Sequence, residues 1–313
     1  MNSNSNHFQN LLRLFGYVGA VLLAACIVSP PLYWAGSWLS ESGILPIVKG
    51  FPFHRYFSRS VQVSALILLW PAFCWIGIRH LRELGIAPNA RWRSDLLAGF
   101  LMALLPIVLM GVVYIQQGVW VIGDPLNPAR FLTIAASAAA VSLLEEFFFR
   151  GVILGLCLMA MSRWSALVVS AVIFSVVHFV KTSKSVRGDP VTWSSGLEQI
   201  PLAFSSAPPW PLLGWGFLSL LVAGLILGVA TSRTRSLFLS IGLHAGWIFG
   251  QKGLELLAKF NPKPADALLP WAGPNVVSGA VPTGLVPVGV LLLTGILVLS
   301  RLRHVEKKDH RSI

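Results

Sequence analysis

Apolar runs of about 20 residues recur along the chain, and they constrain its fold more than any other feature. A helix of that length crosses the roughly 30 Å hydrocarbon core of a bilayer. Because lipid offers no partner to a backbone N–H or C=O, each run is expected to be a helix. The sequence therefore predicts an all-α fold, a polytopic transmembrane helical bundle of about eight spans. The predicted spans are 14–36, 61–81, 96–117, 131–159, 164–181, 211–231, 236–254 and 283–301.

The composition agrees with a membrane protein. Charged residues make up only 12% of the 313-residue chain, and 55% of the residues are hydrophobic. A soluble domain carries about 25% charged residues, so a soluble enzyme is disfavoured. The net charge of +12 comes from 24 Lys and Arg against 12 Asp and Glu, and most of the basic residues lie in loops between apolar runs. That placement indicates membrane topology, and no nucleic-acid partner is predicted.

The distribution of Lys and Arg also predicts the orientation. Translocated loops are poor in these residues, which favours cytoplasmic N- and C-termini in a bacterial inner (plasma) membrane. One alternative concerns the N-terminal end, where Leu23-Ala24-Ala25-Cys26 resembles a lipoprotein signal that is cut before Cys26. The apolar run continues past Cys26 to Trp34, and this favours an uncleaved span.

Two adjacent acids, Glu145 and Glu146, stand in the middle of an apolar run. An acid at the centre of a transmembrane helix costs about 2.5–3.5 kcal/mol on insertion scales, so both acids need partners. Arg150 lies one helical turn after Glu146, and a direct ion pair between the two is expected. Glu145 points about 100° away around the helix and is free to face another group. A buried ion pair that only fixes helix packing explains the same residues, and this alternative stays open.

Two histidines, His178 and His244, stand in later apolar runs, whereas the other five lie in loops, beside loops or in the termini. A lone histidine among apolar residues is more often a hydrogen-bonded packing residue than a catalyst. Polar groups at bilayer depth tend to pair with one another. The most economical arrangement therefore brings both histidines, both acids and the arginine into one cavity.

Such a cavity can hydrolyse an acyl bond. A carboxylate beside an imidazole can take a proton from water, and a second imidazole can donate to the developing oxyanion. Two His and one Glu also resemble a zinc ligand set, so a metal bound by Glu145, His178 and His244 is an alternative. The His-Glu-x-x-His pattern of common zinc proteases is absent. We therefore expect no metal and no cofactor, with zinc as the open possibility.

The order and spacing of three motifs resemble those of the CPBP intramembrane proteases, also called the CAAX protease and bacteriocin-processing, or Abi, family. The motifs are Glu145-Glu146-x-x-x-Arg150, Phe174-x-x-x-His178 and His244-Ala245. The similarity covers roughly residues 80–254 and includes Trp92 and Asp95 before the third predicted span. Three ordered motifs on three apolar spans are a fairly specific signal.

The resemblance implies an intramembrane endopeptidase that acts on a membrane-anchored protein or peptide within the lipid bilayer. It implies that Glu145 activates a water molecule with help from His178, and that His244 supports the oxyanion. Three further residues would organise the site: Glu146, Arg150 and Phe174. On this interpretation residues 81–254 form the catalytic membrane core, residues 1–80 hold two N-terminal spans, and residues 255–313 hold a loop, the last span and a basic tail. Residues 181–210, between two spans, either cap a site or connect helices, and a structureless connector is favoured.

One position departs from the family pattern. The family usually has Asn or a similar polar residue four positions after the last histidine, where this chain has Ile248. Isoleucine cannot donate a hydrogen bond to an oxyanion. This keeps open a second function, a catalytically silent membrane protein that binds a partner as an immunity protein does. A proton-coupled transporter is less favoured, because the chain shows no inverted repeat.

Overall fold

The computed structural model describes residues 3–80, 89–123, 128–179, 190–205, 209–261, 270–277 and 281–311. Helices dominate these ranges, and the predicted all-α bundle is confirmed. The α-helices are α1 (Ser3–Glu41), α2 (Phe53–Ile76), α3 (Trp92–Gln116), α4 (Pro128–Glu146), α5 (Leu154–Ala160), α6 (Arg163–Phe179), α7 (Ser195–Ser205), α8 (Trp210–Thr234), α9 (Phe238–Leu257) and α10 (Leu285–Arg311). A π-helical segment, Phe147–Ile153, connects α4 to α5, and a short 3₁₀ helix covers Pro46–Val48.

Short strands in the described ranges form two small antiparallel sheets. In one sheet β1 (Trp120–Ile122) pairs with β2 (Ala258–Phe260), and in the other β3 (Gly273–Val277) pairs with β4 (Val281–Thr283). β1 follows α3 and β2 follows α9 directly. The first sheet therefore joins the ends of these two helices.

Five helices in the described part of the chain are long and apolar enough, by length and composition, to cross a membrane. They are Phe15–Glu41, Phe53–Trp75, Trp92–Gln116, Trp210–Thr234 and Leu285–Glu306. The predicted span 164–181 corresponds to α6, which is apolar but shorter. The protein is thus an integral membrane protein. Some of its described helices are shorter or less apolar than a membrane span requires.

The two remaining predicted spans are the helices that carry ionisable residues. Run 131–159 is divided among α4, the π-helical segment and α5. Run 236–254 lies within α9, most of whose residues are buried in protein. A helix that is apolar on many sides can be a protein core helix as well as a membrane span. Hydropathy alone does not separate the two cases.

One compact unit comprises Met1–Arg79 and His178–Ala207. In it α1 and α2 pack along each other, and the hydroxyl of Tyr17 donates to the main-chain oxygen of Ala65 at 2.6 Å. α7 packs against α1, where Cys26 Sγ donates to the main-chain oxygen of Gly196 at 3.4 Å. Cys26, at which a lipoprotein signal would be cut, is therefore buried inside the continuous helix α1.

The same unit corrects the expectation of a structureless connector over residues 181–210. The helix α7 occupies Ser195–Ser205 within this segment. The expectation for residues 181–189 and 206–208 falls outside the described residues. Burial of the apolar side of α7 against α1 and α2 explains why a mixed sequence is helical here: Ile200 packs on the cluster of Ala25, Cys26 and Phe57.

The second unit comprises His80–Val177 and Pro208–Ile313. Glycines bring α3 and α9 into close contact in this unit. Gly242 of α9 lies against the main-chain oxygen of Leu96, and Gly246 lies against that of Phe100. A Cβ at either glycine would collide with the oxygen, so only glycine permits this approach. The contact fixes the position of α9 and of the histidine that it carries between these glycines.

A buried carboxylate ties the start of α3 to α10. Asp95 is 3% exposed and accepts hydrogen bonds from Arg301 Nη2 at 2.8 Å and from Asn89 Nδ2 at 2.9 Å. Arg301 Nη2 also donates to Ser94 Oγ at 3.2 Å. A buried carboxylate is costly unless it is paired and hydrogen-bonded. These contacts satisfy Asp95 and hold the two helices together.

Candidate active site

The two acids stand where an α-helix changes to a π-helix. α4 ends at Glu146, and the π-helical segment begins at the next residue. A π-helix has i→i+5 hydrogen bonds, and such segments are frequent at functional sites. Ser170 of α6 donates to the main-chain oxygen of Phe149 at 3.5 Å, which links the segment to α6. The backbone therefore departs from a regular helix at the residues expected to carry chemistry.

Glu146 is the buried centre of the site. Its side chain is 0% exposed, and its Oε1 atom accepts hydrogen bonds from Arg150 Nη1 at 2.8 Å and from His244 Nδ1 at 2.7 Å. The ion pair expected from the four-residue spacing is confirmed. An ionised carboxylate only accepts hydrogen bonds, so Nδ1 of His244 carries a proton in this arrangement. Glu146 therefore fixes both the orientation and the tautomer of His244.

Glu145 approaches the same imidazole from its other nitrogen. Its Oε2 atom lies 3.8 Å from His244 Nε2, a separation longer than a hydrogen bond. The Glu145 side chain is 30% exposed, whereas that of Glu146 is fully buried. Glu145 is thus the more exposed of the two acids, although its Oε2 atom, which faces His244, is itself buried. The sequence argument had Glu145 facing a different group from Glu146, but the structure brings both carboxylates to one ring.

Phe174 of α6 forms an aromatic wall beside the ion pair. Its ring centroid lies 4.1 Å from Arg150 Cζ, 5.0 Å from the ring of Phe149 and 6.1 Å from the ring of His244. A guanidinium over an aromatic face gains a cation–π interaction, which is larger where water is excluded. This contact offsets part of the cost of burying Arg150, which is 2% exposed.

His178 lies in the last turn of α6, one turn after Phe174, and is half-exposed. Its expected help to Glu145 stays a prediction. Within the described ranges, no group of three or more His, Cys, Asp or Glu side chains is arranged to hold a metal ion. The zinc alternative at Glu145, His178 and His244 stays a prediction.

α9 buries a further polar residue that the sequence analysis did not single out. Gln251 is 1% exposed and donates from Nε2 to Glu255 Oε1 at 3.1 Å. It lies two turns after His244, and Ile248, which is 4% exposed, lies between them on the same face. A glutamine seven positions after a histidine in an apolar run is the sequence signal that could have found it. Polar groups thus flank Ile248 on both sides along the helix.

The comparisons with known proteins bear on this same part of the chain. Residues 127–250 match the model of the family described as Type II CAAX prenyl endopeptidase Rce1-like. The comparisons with curated proteins and with solved structures found no match. The matched range contains all three motifs and the residues that surround Glu146. The resemblance to the CPBP family is therefore confirmed for residues 127–250 of this integral membrane protein, which are similar to the Rce1-like family model.

Proposed function

We propose that this protein is a glutamic-type intramembrane endopeptidase that hydrolyses a peptide bond of a membrane-anchored protein or peptide. One observation carries the proposal: Glu145, whose side chain is partly exposed, faces Nε2 of an imidazole whose Nδ1 is held by a fully buried carboxylate. A hydrolase needs a base that a ligand can reach and a donor that is fixed in place. In the proposed site Glu145 supplies the base, and the imidazolium form of His244 supplies the donor. The Rce1-like match supports a protease of the CAAX type in general.

The proposed reaction begins with a water molecule on Glu145. The carboxylate removes one proton while the water oxygen attacks the substrate carbonyl carbon, and the carbonyl electron pair moves onto its oxygen. Since Nδ1 of His244 already carries the proton that bonds Glu146, His244 acts here as the imidazolium, whose second proton on Nε2 is donated in a hydrogen bond to this oxyanion. The C–N bond then breaks, and Glu145 returns its proton to the leaving amine. Glu145 Oε2 and His244 Nε2 are 3.8 Å apart, so they are not hydrogen-bonded to each other, and each can bond the water molecule or the substrate.

Glu146 and Arg150 act through His244 in this mechanism, and they do not touch the reacting atoms. The Glu146 carboxylate accepts from Nδ1–H and so stabilises the imidazolium whose Nε2–H donates to the oxyanion, and Arg150 holds that carboxylate in place. The arrangement resembles the buried aspartate that orients the histidine of a serine-protease triad. The help of His178 in water activation, taken from the family resemblance, belongs to the same proposal.

The proposal is tested by cleavage assays on the purified protein in detergent with a library of membrane-anchored peptides. Cleavage at an internal peptide bond that persists in a chelator is the expected result. Cleavage that is lost in the chelator and restored by zinc would contradict the glutamic mechanism but keep the endopeptidase. No cleavage of any anchored peptide by folded protein would favour the catalytically silent alternative, which Ile248 keeps open.

The substitution Ile248→Asn is expected to be tolerated or to raise kcat/KM. Residue 248 lies one turn after His244 on the same face, so an amide there can supply a second donor to the oxyanion. The matched control is Ile248→Leu, which keeps the apolar volume and should leave the rate unchanged. Both variants are compared in kcat/KM and in thermal unfolding midpoint. A loss of activity in Ile248→Asn with an unchanged midpoint would contradict this role of the position.

A further inference from the structure

A surface cavity of about 470 Å³ lies on α10, away from the candidate active site. Its lining residues are Ile296, Leu299, Ser300, Arg303 and His304. They are spaced by one or three positions, so they share one face of the helix. At 1.5 Å per residue the lining extends about 12 Å along the helix axis.

The lining changes from apolar to basic along that axis. Ile296 and Leu299 are 63% and 44% exposed, and they lie inside the membrane-length helix Leu285–Glu306. Arg303 and His304 lie at the end of that helix, and both are exposed. A phospholipid has the same order of groups along the membrane normal, with acyl chains inside and a phosphate at the boundary.

The other faces of α10 are already bound to the protein. Val298 and Leu302 are buried in the core cluster, and Arg301 pairs with Asp95. Glu306 pairs with Arg233 at 2.9 Å. By contrast, Arg303 and His304 make no hydrogen bond or ion pair with the residues that the structure describes. The helix is therefore anchored on one side and presents unpaired basic groups in the cavity on the other.

We propose that this cavity binds one anionic phospholipid. Its phosphate is held by Arg303, His304 and the hydroxyl of Ser300, while an acyl chain lies along Ile296 and Leu299. Arginine and histidinium form charge-assisted hydrogen bonds with phosphate, and basic groups next to a membrane helix attract anionic lipids. A soluble acidic partner would not account for the apolar half of the cavity, which belongs to the membrane-length helix Leu285–Glu306. This site is independent of the proposed peptidase activity.

The test is a binding titration of fluorescent short-chain phosphatidylglycerol to the full-length protein in detergent. Wild type should bind phosphatidylglycerol more tightly than phosphatidylcholine. Arg303→Gln should weaken phosphatidylglycerol binding by about five-fold, the effect of one basic group near a membrane surface. The matched control is Arg235→Gln, which removes the same charge from an exposed position outside the cavity and should leave the Kd unchanged. Arg303 is exposed, so the thermal unfolding midpoint of Arg303→Gln should not change.

Three results would overturn the proposal. Equal weakening by Arg303→Gln and Arg235→Gln would mean diffuse attraction by the net positive charge. Equal binding of the two lipids would mean that the headgroup charge is not recognised. Full displacement of the lipid by millimolar inorganic phosphate would mean a simple phosphate site without an acyl-chain component. The lipid titration does not require peptidase activity. A negative result therefore overturns the lipid site without bearing on the proposed peptidase function.

Discussion

Replacing Glu145 with glutamine is expected to lower kcat for peptide cleavage by about 10²–10⁴-fold, the usual contribution of a general base. Glutamine has nearly the same shape as glutamate, but it cannot take a proton from water. KM should change little, because the lost step follows substrate binding. The side chain is 30% exposed and is not the centre of the buried network, so the fold should be retained. The measurement is single-turnover cleavage together with the thermal unfolding midpoint.

A matched control for this experiment is Glu198→Gln. Glu198 is an exposed acid of α7 that accepts a hydrogen bond from Ser194, and it lies outside the candidate active site. The two variants carry the same chemical change, so a loss confined to Glu145→Gln assigns the effect to the site. Wild-type kcat in a folded Glu145→Gln protein would show that Glu145 is not the general base. The ion pair of Glu146 and Arg150 would then be explained by helix packing alone.

The helical fold was predictable because a membrane permits few alternatives. Apolar runs in lipid must satisfy their own backbone, and the described chain is helical wherever such a run was found. The surroundings of each helix were not predictable by the same argument. α9 is apolar and largely buried in protein, with Gly242 and Gly246 pressed against α3. Local sequence does not state whether lipid or protein surrounds an apolar helix.

The candidate site was partly predictable for a similar reason. The four-residue spacing of Glu146 and Arg150 is a local signal, and the ion pair is present. The meeting of both carboxylates at His244 is not local. It depends on packing between α4 and α9 and on the π-helical segment that starts at Phe147, for which the sequence holds no recognised signal. The buried Gln251 was missed because a single amide leaves the hydropathy of an apolar run high enough to be classed as a membrane span.

The substitution Arg150→Met is expected to destabilise the protein by about 3–5 kcal/mol. Arg150 and Glu146 are both buried, and their ion pair is 2.8 Å long. Removing the guanidinium leaves a buried carboxylate with a donor at His244 only, and an uncompensated buried charge is costly. The matched control is Arg233→Met, because Arg233 forms an ion pair of nearly equal length, 2.9 Å, at an exposed position. An exposed pair contributes about 0–1 kcal/mol, so the control should lose much less stability.

A double-mutant cycle separates the ion pair from simple loss of side-chain packing. The variant Glu146→Gln/Arg150→Met removes both charges and should be more stable than Arg150→Met alone, because no unpaired charge is left buried. The free energy of unfolding is measured by detergent titration in mixed micelles for wild type, both single variants and the double variant. Additive losses would show that the two side chains do not interact in the folded protein. Non-additive losses of stability would show that Glu146 and Arg150 interact. If cleavage is also lost in all three variants, the buried pair both stabilises the fold and positions His244, because Glu146 Oε1 bonds Arg150 and His244 at once.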